Sequence, residues 1–202
     1  MRHLRLLCVL AILFASSWTT SAALALPVSY AGTQLRLVDF NDLPRGGRYC
    51  SGCPRTLEYP AQRPDLIVSG GMRIILDTLS QPAVPENEPL EGWVNVAADP
   101  SGGNALEVIE GSLNPEFDTF PVSYVSIEIA QLAEYFQLII NGDLIDADFL
   151  SELDGQSVRG VTIDVLPPAS GDSFSLLVLS GNIENLQFGG SRFLADNLHY
   201  GQ

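Results

Sequence analysis

Over most of this chain apolar and polar residues alternate one by one. Val125, Ile127 and Ile129 are interleaved with Ser126, Glu128 and Ala130, and Val161, Ile163 and Val165 with Thr162 and Asp164. A period of two puts one set of side chains on each face of an extended chain, so both stretches predict half-buried strands. Shorter apolar runs at residues 35–40, 66–68, 73–79, 93–97, 105–109, 136–140 and 174–179 predict strands too. Ser69, Gly70 and Gly71 suit a hairpin turn between two of them, and Asn141 with Gly142 suits another, because glycine and asparagine tolerate positive φ.

Polar or proline-marked loops are expected at residues 41–54, 80–92 and 114–120. The middle one carries Pro82, Pro85 and Pro89, each lacking the N–H that a helix interior or a central strand would need. Within residues 144–153, Ile145, Phe149 and Leu153 recur at intervals of four, which suits a helical turn. About ten short strands between Gly, Pro, Asn and Asp clusters, with no long helices alternating, predict an all-β jelly-roll β-sandwich. Residues 35–42 and 188–200 both set acids beside aromatics, and their pairing is expected to close the sandwich.

The start of the chain reads as an address. Arg2 and Arg5 precede a ten-residue apolar run at 6–15, and Ala23, Leu24 and Ala25 form an A-x-A cleavage site, so residues 1–25 are expected to be a signal peptide. The run is short of the ~20 residues that span a bilayer. A single domain over 26–202, secreted or periplasmic/extracellular and not inserted in a membrane after cleavage, is the expectation.

All ten basic residues are arginine, and the eight beyond the signal face 24 acids, a net charge of −16. Nothing basic is clustered to neutralise phosphates, which excludes nucleic acid and disfavours an anionic membrane surface as partners. The absence of lysine excludes Schiff-base, Walker-type and Ser-Lys chemistry.

Cys50 and Cys53 are expected to form a small-loop disulfide in an oxidising compartment, with a redox dithiol or a metal site as the alternatives. His199 lies too near the end of an alternating strand to promise a triad and is read as solvent-facing or satisfied. Asp39, Asn41 and Asp42 at one strand end, with Asp196 and Asn197 in the last strand, could place hard oxygens round calcium, or merely accept turn N–H groups. Asp143, Asp146, Asp148 and Asp154 miss the EF-hand spacing. Trp93 and Tyr49 are the candidate sugar-stacking rings, and core packing is the alternative for both.

Three short motifs carry a resemblance. Phe40-Asn41-Asp42-Leu43, Gly103-Asn104-Ala105-Leu106 and Phe193 with Asp196-Asn197-Leu198 resemble secreted bacterial jelly-roll domains. Those domains are similar to carbohydrate-binding modules, have a galactose-binding-like fold and occur in PEP-CTERM exported proteins. The sorting tail itself is absent from these 202 residues. The resemblance implies a structural calcium shared by the first and last strands, carried here by Asn41, Asp42 and Asp196, and would turn part of residues 144–153 into a strand.

The expected function is a non-catalytic binding module for polysaccharide, cell-surface glycan or extracellular matrix. A glycan hydrolase or lyase using two carboxylates, and a purely structural surface protein, are the alternatives.

Overall fold

The computed structural model of the chain describes residues 29–30, 32–51, 65–79, 92–99, 103–118, 121–170 and 172–202. The expected signal peptide, Cys53 and the proline-rich stretch 80–91 lie outside the described residues. Strands β1 (Ser29–Tyr30) and β2 (Thr33–Gln34) form a small separate ladder. The main sheet begins with β3 (Arg36–Val38), β4 (Arg48–Ser51), β5 (Leu66–Ser69), β6 (Met72–Thr78) and β7 (Gly92–Asp99). It continues with β8 (Gly103–Glu116), β9 (Val122–Gln131), β10 (Phe136–Ile140) and β11 (Asp143–Ala147). After a 3-10 turn at Leu150–Leu153 come β12 (Ser157–Val158), β13 (Val161–Leu166), β14 (Ser175–Ile183) and β15 (Leu186–Gly201).

Every pairing is antiparallel, and two long strands change partners along their length. β15 pairs first with β10 and β8, then with β8 and β9, and finally with β9 and β3. β8 pairs with β7 before Glu110 and with β6 after it, and Glu110 itself has φ 49°. These changes divide one continuous sheet into two halves that bury a common core, an all-β sandwich. Phe136, Phe188, Ile74 and Leu113 reach that core from one half, and Val125, Ile163, Leu179 and Val108 from the other.

Where β10, β15 and β8 meet, the backbones come too close for side chains. A Cβ on Gly189 would lie 2.6 Å from the Ser112 Cβ and 2.7 Å from the Gly111 carbonyl, and one on Gly190 would lie 2.6 Å from the Tyr135 carbonyl. Two consecutive glycines are therefore what lets the last strand pass between its neighbours at this point. Beside them Phe193 is fully buried, with its ring 5.5 Å from Phe136, edge to face, and 6.2 Å from Phe188. Each such ring contributes about 1.5–3 kcal/mol through burial.

The expected closure is present: Leu198, His199 and Tyr200 pair with Val38, Leu37 and Arg36. Three local expectations change. The stretch 41–54 is not loop throughout, since β4 forms on the edge of β7; four residues carry too little alternation to announce a strand. Residues 114–116 belong to β8 rather than to a loop, and Pro115 lies past Leu113, where pairing with β15 has stopped and only that with β6 continues. Residues 144–153 split into β11 and the 3-10 turn. Phe149 is 49% exposed while Leu150 and Leu153 are buried, so the interval of four does not mark one apolar face.

Gly189→Ala is expected to destabilise the fold by about 1–3 kcal/mol through overpacking, read as a lower urea midpoint with the m-value unchanged. An unaltered midpoint would show that the strands can separate there at no cost.

Candidate functional site

The residues nominated from the sequence fall in three places. The first is a clasp after β3. Phe40 is buried at φ 56°, and the Leu43 N–H donates to its carbonyl at 3.1 Å, which reverses the chain. Asn41 is thereby presented to the start of β8, where its Oδ1 accepts the Asn104 N–H at 3.0 Å. In return the Asn104 Nδ2 donates to the Leu43 carbonyl at 3.0 Å. Arg45 donates to Asn104 Oδ1 at 3.2 Å and to the Gly103 carbonyl at 2.9 Å. A Cβ on Gly103 would meet Asn41 Oδ1 at 2.9 Å, so the glycine makes room for the asparagine. Two of the three motifs thus lock onto each other.

Asp42 points elsewhere, taking the Ser69 hydroxyl at 2.5 Å and the Gly70 N–H at 2.9 Å in the turn between β5 and β6. Burial pushes its carboxyl up, but these two donors outweigh burial and hold it below the ordinary value.

The second place is the bulge in β15. Asp196 is buried and its Oδ1 accepts the Asn197 N–H at 2.7 Å. Asn197 takes φ 47° and donates from Nδ2 to Glu128 Oε2 at 2.8 Å. The extra residue shifts the register between Asp196 and His199, placing His199 opposite Ser126 on one side and Leu37 on the other. His199 is buried, with Nδ1 3.1 Å from the Asn197 carbonyl. Burial lowers its pKa, and the Asn197 contact opposes that only in part. Ser126 Oγ is buried without a hydrogen-bond partner, so His199 does not activate it.

Asn41, Asp42 and Asp196 each therefore serve a backbone N–H. Among the described residues, no three His, Cys, Asp or Glu side chains come together as a group that could hold a metal ion.

The third place is the outer face of the sheet over β4, β7, β8 and β15. Cys50 pairs with Trp93, Trp93 with Ile109 and Ile109 with Arg192. In the neighbouring row Arg48 pairs with Asn95, and Asn95 with Glu107. Directly paired residues share a face, and Val94, Val96 and Val108 fill the opposite one. Arg48, Trp93, Asn95 and Ile109 line a shallow open depression of about 270 Å³. Glu107 accepts Arg192 Nη2 at 2.7 Å and Nε at 3.0 Å, and Asn95 Nδ2 at 3.2 Å. The Arg192 hydrogen bonds, opposed by partial burial, keep its carboxyl below the ordinary range.

Tyr49 pairs with Val94 and so lies on the core side, where burial, aided by the charge of Asp42, raises its pKa. The two candidate rings are on adjacent strands but opposite faces. Cys50 is buried. Arg48 and Asn95 went unnoticed in the sequence because only the pairing of β4 with β7 sets them beside Trp93. Compared with protein-family models, curated proteins and solved structures, the chain matches none.

Asn41→Ala is expected to cost about 1–2 kcal/mol by leaving the Asn104 N–H without its partner, measured by denaturant unfolding. A cost near zero would mean that water replaces the amide. The buried His199 also sets a pH dependence: its folded pKa is below 6.5, so the unfolded state binds the proton first and stability declines as pH falls through 6.5. The decline ends below the folded pKa. His199→Gln should flatten the melting temperature between about pH 5 and 7, the span over which an ordinary histidine titrates; an identical slope in the variant would assign the effect to other groups.

Proposed function

We propose that the protein is an exported, non-catalytic glycan-binding module whose contact surface is the outer face around Trp93. The observation that carries this is the half-buried Trp93, turned away from the core and flanked by Arg48 and Asn95 in an open depression. An indole presented on a flat sheet stacks on the C–H face of a pyranose ring. Asn95 commits its Nδ2 to Glu107 and has its Oδ1 to offer a sugar hydroxyl. Because main-chain ladders on both sides hold β7 in place, little ordering is needed on binding.

A binding role fits this surface better than hydrolysis. A glycosidase needs one carboxyl that stays protonated near neutrality and a second across the scissile bond. Glu107, the acid beside the depression, is held ionised by Arg192.

The reading includes a jelly-roll scaffold, the signal peptide over residues 1–25 and a Cys50–Cys53 bridge that anchors the end of β4. Such a bridge would steady the strand that carries Arg48.

In affinity electrophoresis against a panel of soluble polysaccharides, the full chain should be retarded by at least one. Trp93→Ala should remove the retardation while keeping the parent's melting temperature. Retardation that survives the substitution moves the site elsewhere, and none with any polysaccharide leaves a structural surface protein.

A further inference from the structure

We infer that the depression at Trp93 is selective for an acidic sugar, with Arg48 pairing with the carboxylate of a uronic acid; this rests on the glycan-binding reading above. Among the described residues, two arginines reach this face, and they differ in their electrostatic state. Arg192 is satisfied, since two of its nitrogens sit on Glu107 Oε1 at 2.7 and 3.0 Å. Arg48 is exposed, lines the depression and has no ion-pair or hydrogen-bond partner among the described residues for its side chain. In a chain with 24 acids and 10 arginines, a guanidinium with no carboxylate partner beside an outward tryptophan is suited to pair with an anion.

The chemistry of the pocket narrows which anion fits. A guanidinium is a planar fork that matches a planar carboxylate through two parallel N–H···O bonds. In a uronic acid that carboxylate is attached directly to the pyranose ring. Trp93 and Arg48 stand one strand apart and two residues offset, because Trp93 pairs with Cys50 and Arg48 with Asn95. That spacing, of the order of 5–8 Å between Cβ atoms, lets one monosaccharide lie on the indole while its carboxylate reaches the guanidinium. Ile109 extends the apolar floor beneath the ring.

The overall charge opposes this only at long range. In about 0.1 M salt, charges more than ~10 Å apart are largely screened, whereas the Arg48 pair is in direct contact. Binding to a polyuronate should therefore hold steady or strengthen as salt rises from about 10 to 100 mM, since screening removes the repulsion first.

The test is calorimetric titration of the full chain with an oligogalacturonate and with its methyl ester, which keeps the ring and removes the charge. The acid should bind about tenfold tighter than the ester. Arg48→Ala should bring the two to equal affinity, and Arg48→Lys should recover only part of the difference, for want of a bidentate fork. Equal binding of acid and ester by the parent protein would overturn the inference while leaving glycan binding intact. Preference for a sulfated dextran over the oligogalacturonate would also overturn it. Failure of the parent protein to bind acid, ester or any neutral polysaccharide would bring down the glycan reading itself. Circular dichroism melting of each variant keeps a folding defect from passing as lost affinity.

Discussion

The structure depends on one sixteen-residue strand finding main-chain partners all along its length. No single neighbour is long enough to do this, so β15 is served in turn by β10, β8, β9 and β3. A buried N–H or carbonyl left without a partner costs about as much as a lost hydrogen bond. The exchanges must therefore happen where the backbone can bend without leaving such groups behind. They do: Gly189 and Gly190 mark the first crossing, and the bulge at Asn197 lies near the last. Because β15 belongs to both halves of the sheet, the core cannot come apart without breaking its ladders.

The same economy explains the polar residues near the chain ends. Asn41 and Asp42 are adjacent hard-oxygen residues in the sequence, and Asn104 lies far along the chain from both. In the fold each is spent on backbone groups that a sharp reversal would otherwise leave bare. Asn41 supplies the acceptor that Asn104 lacks where β8 begins, and Asp42 does the same for the turn at Gly70. A hydrogen bond of this kind adds about 1 kcal/mol net, but leaving the group unmade costs more. The clasp is accordingly a device for register, joining the end of β3 to the starts of β8 and of the β5–β6 turn.

The outer face follows from the inner one. Val94, Val96 and Val108 are demanded by the core, and alternation then turns Trp93, Asn95 and Ile109 outward whatever their chemistry. An indole in that position is the departure from what burial alone would select. Arg192 and Glu107 pair with one another on this face, which leaves Arg48 as its unpaired charge among the described residues. The outward indole and, among the described residues, a guanidinium without a partner are the two features on which the proposed binding rests.

By itself the sequence determined the class of fold, most strand positions and the meeting of the two ends, because a period of two and turn residues are local signals. The Asn141–Gly142 turn and the strand at residues 136–140 were legible for that reason, as was the placement of residues 198–200 beside residues 36–38. What lay beyond it was which residues share a face across strands distant in the chain. Tyr49 and Trp93 looked like partners, yet β4 pairs with β7 so that one ring enters the core and the other leaves it. Arg48 gained significance only through that same register. A shift of one residue in a ladder exchanges every inward side chain for an outward one, and that register is settled by tertiary packing, where no local pattern reaches.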